Sequence, residues 1–307
     1  MNKVVLDCKK LNNKLYKNLL FLIVIVQCIC ISSLVAINTT YGTSILGNSY
    51  SNAPQKDVSP LMKAVRNDNL KEIKKIIQAG VDIDEKTEEG YTALMAAVYK
   101  GNIEIIQYLL YQGADLENYD NYNNTPLMYA FFDSQQKVAV VKFLLTRGVN
   151  IETMNNGELT PLILASLNNH AQSIKLLVEH GAKMETQGKL GRTALMSAVD
   201  NKAIEALKVL IDLKADVETR DQFSFTPFLL AVYNNDGVLM KMLMRAGCDV
   251  NAYVTKNIPV QTKTSSFDYF HRNTPDKIIA KGSKALDIAR QFECRLAENI
   301  VMNQVGK

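Results

Sequence analysis

Tryptophan is absent from the 307 residues, histidine occurs three times, and no charged side chain falls between Asn18 and Gln55. Each absence excludes a class of chemistry. His170, His180 and His271 have no carboxylate, cysteine or second histidine at ligand spacing, so the chain carries no recognisable metal set. No phosphate-cradling loop, nucleophile elbow or H-E-x-x-H helix occurs, and the acidic pair Glu88 and Glu89 reads as solvated rather than catalytic. An enzyme is not expected, nor a cofactor or a small-molecule substrate.

Cysteine is sparse where it would matter. Of five, Cys8 lies in a basic lead, and Cys28 and Cys30 lie in an apolar run, where they read as apolar filler. Gln27 before Cys28 is not the small residue that a lipid-attachment site wants. Only Cys248 and Cys294 remain beyond residue 37, which excludes a disulfide framework. Cys248 stands where Ala114 stands in an earlier, similar phrase and reads as a buried small residue with a free thiol.

The net charge of +4 is unevenly spread. Residues 1–17 hold five lysines against Asp7, residues 57–251 sum to −5, and residues 252–307 sum to +4. A mildly acidic central stretch repels phosphate backbones, so nucleic acid is not an expected partner. Leu19 to Ile37 is almost continuously apolar and long enough to span a bilayer core of about 30 Å. The 18–37 segment therefore predicts a transmembrane anchor preceded by the basic segment 1–17. A cleaved signal peptide and a buried globular helix are the alternatives. The lysines should stay cytoplasmic, leaving the remainder on the exported side; cleavage would give a periplasmic or secreted protein instead. Residues 38–56, rich in Asn, Thr, Ser and Gly, read as a flexible tether.

From residue 57 onward one pattern recurs. Ser59-Pro60-Leu61-x-x-Ala64 returns as Thr92-Ala93-Leu94-x-x-Ala97, Thr125-Pro126-Leu127-x-x-Ala130, Thr160-Pro161-Leu162-x-x-Ala165, Thr193-Ala194-Leu195-x-x-Ala198 and Thr226-Pro227-Phe228-x-x-Ala231, in steps of 33, 33, 35, 33 and 33. Each Ser or Thr suits a helix N-cap, and proline, where present, occupies the first helical position. A second apolar run follows each, as in Ile105, Ile106, Leu109 and Leu110, closed by a glycine such as Gly113 that accepts a left-handed conformation. Helices this short are unstable alone, so the units must stack.

A 33-residue period carrying T-P-L-x-x-A resembles the ankyrin repeat. The resemblance covers residues 57–307 and implies an all-α solenoid of about seven helix-turn-helix units with β-hairpin fingers between them. It also implies a protein-protein binding role. The histidine that usually follows Thr-Pro-Leu is replaced by Met62, Met95, Met128, Ile163, Met196 and Leu229. Lys214 stands where the other units close on glycine, and the third unit carries two extra residues near Ser134 to Lys137. Asn69 and Glu72 form a plausible capping box. The step from Thr226 to Lys284 is 58, which predicts an enlarged finger over about 254–282 before a seventh pair. That insertion, with its cluster Phe267, Asp268, Tyr269, Phe270 and His271, is either a tolerated surface loop or a binding loop.

By analogy with the family, finger tips and exposed first-helix positions line a concave face that selects the partner. Those positions are Glu88, Glu89, Tyr91 and Tyr99; Asn121, Tyr122, Asn124 and Phe132; Leu159; Lys189, Leu190 and Arg192; and Gln222, Phe223, Phe225 and Tyr233. Seven of the sixteen are aromatic, a residue class enriched at interface hot spots. The alternative is that Tyr91, Phe223 and Phe225 pack finger against finger.

Overall fold

The structure is a computed structural model that describes residues 59–255, 258–259, 278–291 and 294–305. The basic lead, the 18–37 anchor or signal and the whole of the 38–56 tether lie outside the described residues, as does the cluster from Phe267 to His271.

Seven helix pairs follow one another: α1 (Pro60–Arg66) with α2 (Leu70–Gln78), α3 (Ala93–Lys100) with α4 (Ile103–Tyr111), and a 3₁₀ segment (Pro126–Phe131) with α5 (Val138–Thr146). Then come α6 (Pro161–Leu167) with α7 (Ala171–Glu179), α8 (Ala194–Asp200) with α9 (Ile204–Asp212), α10 (Pro227–Tyr233) with α11 (Gly237–Arg245), and α12 (Ala285–Gln291) with α13 (Arg295–Val305). Every first element packs on its own partner and on the first element of the next unit, so α1, α3, the 3₁₀ segment, α6, α8, α10 and α12 form one continuous layer. These inner elements are mostly buried, with charged residues such as Lys63 and Lys100 kept to exposed positions. Ala93 to Val98 of α3 and Pro227 to Tyr233 of α10 are buried without a break. The second helices bury one stripe, as with Ile105, Ile106 and Leu109 of α4.

The caps work as the side chains dictate. Ser59, Thr92, Thr160, Thr193 and Thr226 each accept a hydrogen bond from the backbone N–H three residues on, at 3.2–3.4 Å. Thr125 does not, because the segment after it winds as a 3₁₀ helix; its hydroxyl is buried without a hydrogen-bond partner. Asn69 caps α2 through Glu72 N–H at 3.1 Å, but its own N–H goes to Ala64 O, so the capping box is half formed. Gly80, Gly113, Gly148, Gly181 and Gly247 close the second helices at positive φ, and Lys214 does the same at φ 70°.

The β-hairpin fingers expected from the resemblance need correction. Each finger between the described units is a five-residue turn, with no strand. Thr87–Tyr91, Asp120–Asn124, Asn155–Leu159, Gly188–Arg192 and Asp221–Phe225 are each closed by one bond from the first residue's N–H to the fifth residue's carbonyl. The fourth residue is left-handed in all five, being Gly90, Asn123, Glu158, Gly191 and Ser224. A closing bond and a left-handed residue consume the whole turn, leaving nothing to form a ladder. Strands occur only at the base of the 254–282 insertion among the described residues. There Ile258–Pro259 pairs antiparallel with Ile278–Ile279, Tyr253 bridges Lys284, and Val254 N–H donates to Ser283 O.

Candidate protein-binding face

The second and third positions of each finger turn project from the stack, and neighbouring fingers are stitched by their backbones. Asn121 N–H donates to Glu89 O at 3.0 Å, Asn156 N–H to Tyr122 O at 2.9 Å, and Gln222 N–H to Leu190 O at 2.8 Å. Between the third and fourth of these fingers no such bond forms. Gly188 instead lies so close to Glu158 that a Cβ on it would stand 2.2 Å from the Glu158 carbonyl oxygen.

Of the sixteen positions expected to meet a partner, Glu88, Asn121, Tyr122, Lys189 and Gln222 are exposed, and Glu89, Tyr99, Phe132, Leu190 and Phe223 are half-exposed. The other six are buried. Tyr91 packs edge-on against Tyr129 with ring centres 5.8 Å apart, and Phe225 against Tyr233 at 5.9 Å. Leu159 is enclosed at the end of its finger turn. Asn124 belongs to a polar lattice: Asp120 Oδ2 accepts from Asn124 Nδ2 at 2.8 Å and from Tyr129 Oη at 2.6 Å, while Asn155 Nδ2 donates to Asn124 Oδ1 at 2.8 Å. Arg192 donates to Asp200 Oδ2 at 2.5 Å and lies 3.7 Å from Asp221 Oδ2. Burial raises the Asp221 carboxyl above the usual carboxylate range; Arg192 and the N–H groups of Phe225 and Phe223 only partly offset this.

Sequence reasoning missed this second tier. Asp120, Asn155 and Asp221 stand five residues before Thr125, Thr160 and Thr226 and fold the turn through their side chains. Asp120 Oδ1 accepts from Asn124 N–H, Asn155 Oδ1 from Leu159 N–H and Asp221 Oδ1 from Phe225 N–H, at 2.7–3.0 Å. Their spacing was the available signal.

A further periodic set joins the units on the opposite edge, after the second helices. Asp84 accepts from Asp115 N–H, Glu117 from Asn150, Glu152 from Lys183, Glu185 from Asp216 and Glu218 from Asp249, at 2.6–3.1 Å. The next position is Asn251, so the set ends there.

The pattern of ankyrin repeats, in three copies, matches residues 61–155 and 134–221, together half of the chain. The chain belongs to the ankyrin-repeat family. No curated protein matches it. Ankyrin-repeat proteins are typically non-enzymatic binding modules, and the stacked helix pairs with projecting turns are the framework for such a role. Among the described residues no group of three or more His, Cys, Asp or Glu is placed to hold a metal ion. No helix among them is long and apolar enough to cross a membrane.

Proposed function

We propose that this ankyrin-repeat array is a non-enzymatic scaffold that grips a protein partner with its finger tips and the adjoining ends of its first helices. The carrying observation is Tyr122, half exposed at 51% on the tip of the second finger, with Asn121 beside it and Phe132 on the same unit. Tyrosine in such a position offers a large apolar body and a hydroxyl at little entropic cost. The ten accessible positions run from acidic at Glu88 and Glu89 through amide and aromatic groups to Lys189, so a partner is read by contact chemistry along the row.

The test is capture with the full chain as bait, followed by affinity measurement on Tyr122→Ala. A loss of about 30-fold, equivalent to about 2 kcal/mol, with an unchanged urea midpoint is expected. Unchanged affinity for Tyr122→Ala, together with lost binding on deleting 254–282, would place the site in the insertion.

The uncharged 18–37 stretch behind five lysines supports an anchor with the array on the exported side. A reporter fused after Lys307 should be active only on that side. Recovery of a shorter soluble product after fractionation would favour the cleaved, secreted or periplasmic form.

A further inference from the structure

The two residues added to unit three form a loop, Asp133 to Lys137, whose fastening differs from that of every other inter-helix turn. We propose that His170 is a pH latch, holding this loop against unit four while the imidazole is neutral and releasing it when the ring gains a proton. The ring is fully buried and meets Phe131 edge-on with ring centres 5.6 Å apart. Its Nε2–H donates to the Asp133 carbonyl at 2.6 Å, since a carbonyl can only accept. Nδ1 is therefore the unprotonated nitrogen, and it is buried with no hydrogen-bond partner.

A second proton has to go to Nδ1, where no acceptor receives it. The new cation would also share the pocket with the Lys137 ammonium, whose side chain is 4% exposed. That ammonium already spends its pairing on Asp133 Oδ2 at 2.6 Å and lies 5.1 Å over the Tyr99 ring. The charged groups acting on the imidazole are Asp133 and Lys137, both on the loop. The 3₁₀ segment and α6 carry no charge, and Lys142, Lys175 and Glu179 on α5 and α7 are exposed. Burial is the main cause that pushes the His170 pKa below its ordinary value, with Lys137 adding to it and the Asp133 carbonyl and carboxylate opposing.

The direction of the switch follows. A base whose pKa is depressed in the folded state contributes full stability above its unfolded value of about 6.5 and loses it as the pH falls below that. The least costly response is local. The ring withdraws, the Asp133 carbonyl loses its donor, and Ser134 to Gln136, already exposed, swing outward.

Hydrogen exchange on the full chain, at about pH 7.5 and about pH 5.5 with intrinsic rates corrected, tests the latch in the window where histidine titrates and most carboxylates do not. The hydrogen-bonded amides of Gln135 and Val141, held by Asp133 Oδ1 and the Lys137 carbonyl, should exchange severalfold faster at the acidic value in the wild type and equally at both in His170→Gln. Equal protection of the wild-type loop at both values overturns the latch, as does a variant that keeps the acid response. If His170→Gln does not fold, an NMR titration of the wild-type ring decides. A midpoint below the ordinary histidine value supports the latch, and one at or above it overturns the latch.

Discussion

Lys214 carries a backbone conformation that its side chain opposes. At φ 70° it occupies the position that glycine holds after the other second helices, where a Cβ costs about 1–2 kcal/mol. Lys214→Gly should raise the urea midpoint, by about 1 kcal/mol in stability once the greater freedom of the unfolded chain is deducted. A lowered midpoint would mean that the lysine stem contributes packing worth more than the strain. Gly188→Ala should act the other way and cost about 2 kcal/mol, because the added methyl meets a backbone carbonyl that cannot step aside. Cys248 and Cys294 are buried and form no disulfide with one another, as the spacing of the repeats led one to expect. Burial pushes the Cys248 thiol up to about 12, so alkylation near pH 8 should be slow in the native chain and complete in urea, read by peptide mass. These positions were legible one at a time: a missing glycine and a cysteine in an alanine's place are visible without coordinates. The buried state of Arg192 was not. Its pairing with Asp200 and Asp221 joins two finger turns through α8, and the sequence shows only a charged side chain near a turn.

At the level of the element, the first helices owe little to propensity and nearly everything to stacking, so the repeat period located them better than any local pattern would. Thr125 marks where that reading fell short. Its motif is intact, yet Pro126–Phe131 winds as a 3₁₀ helix and runs into the lengthened loop that Asp133, Lys137 and His170 fasten. The carboxylates from Asp84 to Glu218 are the most testable element-scale feature. Each satisfies a backbone N–H of the following unit, so Glu185→Ala should cost about 1 kcal/mol and Glu185→Gln less, measured by urea unfolding. Equal stability of the alanine variant would show that water replaces the carboxylate without penalty.

For the whole molecule, the family, the number of pairs and the location of the seventh pair were all readable from residue spacing. The division of the sixteen face positions into accessible and enclosed was not. Tyr122 and Phe225 are both aromatics within finger turns, but Tyr122 is third in its turn and accessible, whereas Phe225 is fifth, a position buried in all five of these turns. Phe225→Ala should therefore lower the unfolding midpoint by about 3–5 kcal/mol in stability, whereas Tyr122→Ala should leave it nearly unchanged. A reversed result would exchange the roles of the two rings.

The carboxylate rungs also behave as a ruler on the gene. A carboxylate meets the amide of the next unit 31 residues later, or 33 where unit three is longer, because its two added residues are taken up in the turn between helices. Length added there is absorbed before the next rung must close. Length added between the end of a first helix's partner and its rung would tear an amide from its carboxylate. Beyond Glu218 the constraint lapses, since Asn251 offers no carboxylate, and it is there that the chain departs from its period, with a step of 58 from Thr226 to Lys284. Added length has two inexpensive addresses in this array, the turn between helices and the stretch beyond Glu218, and both are occupied.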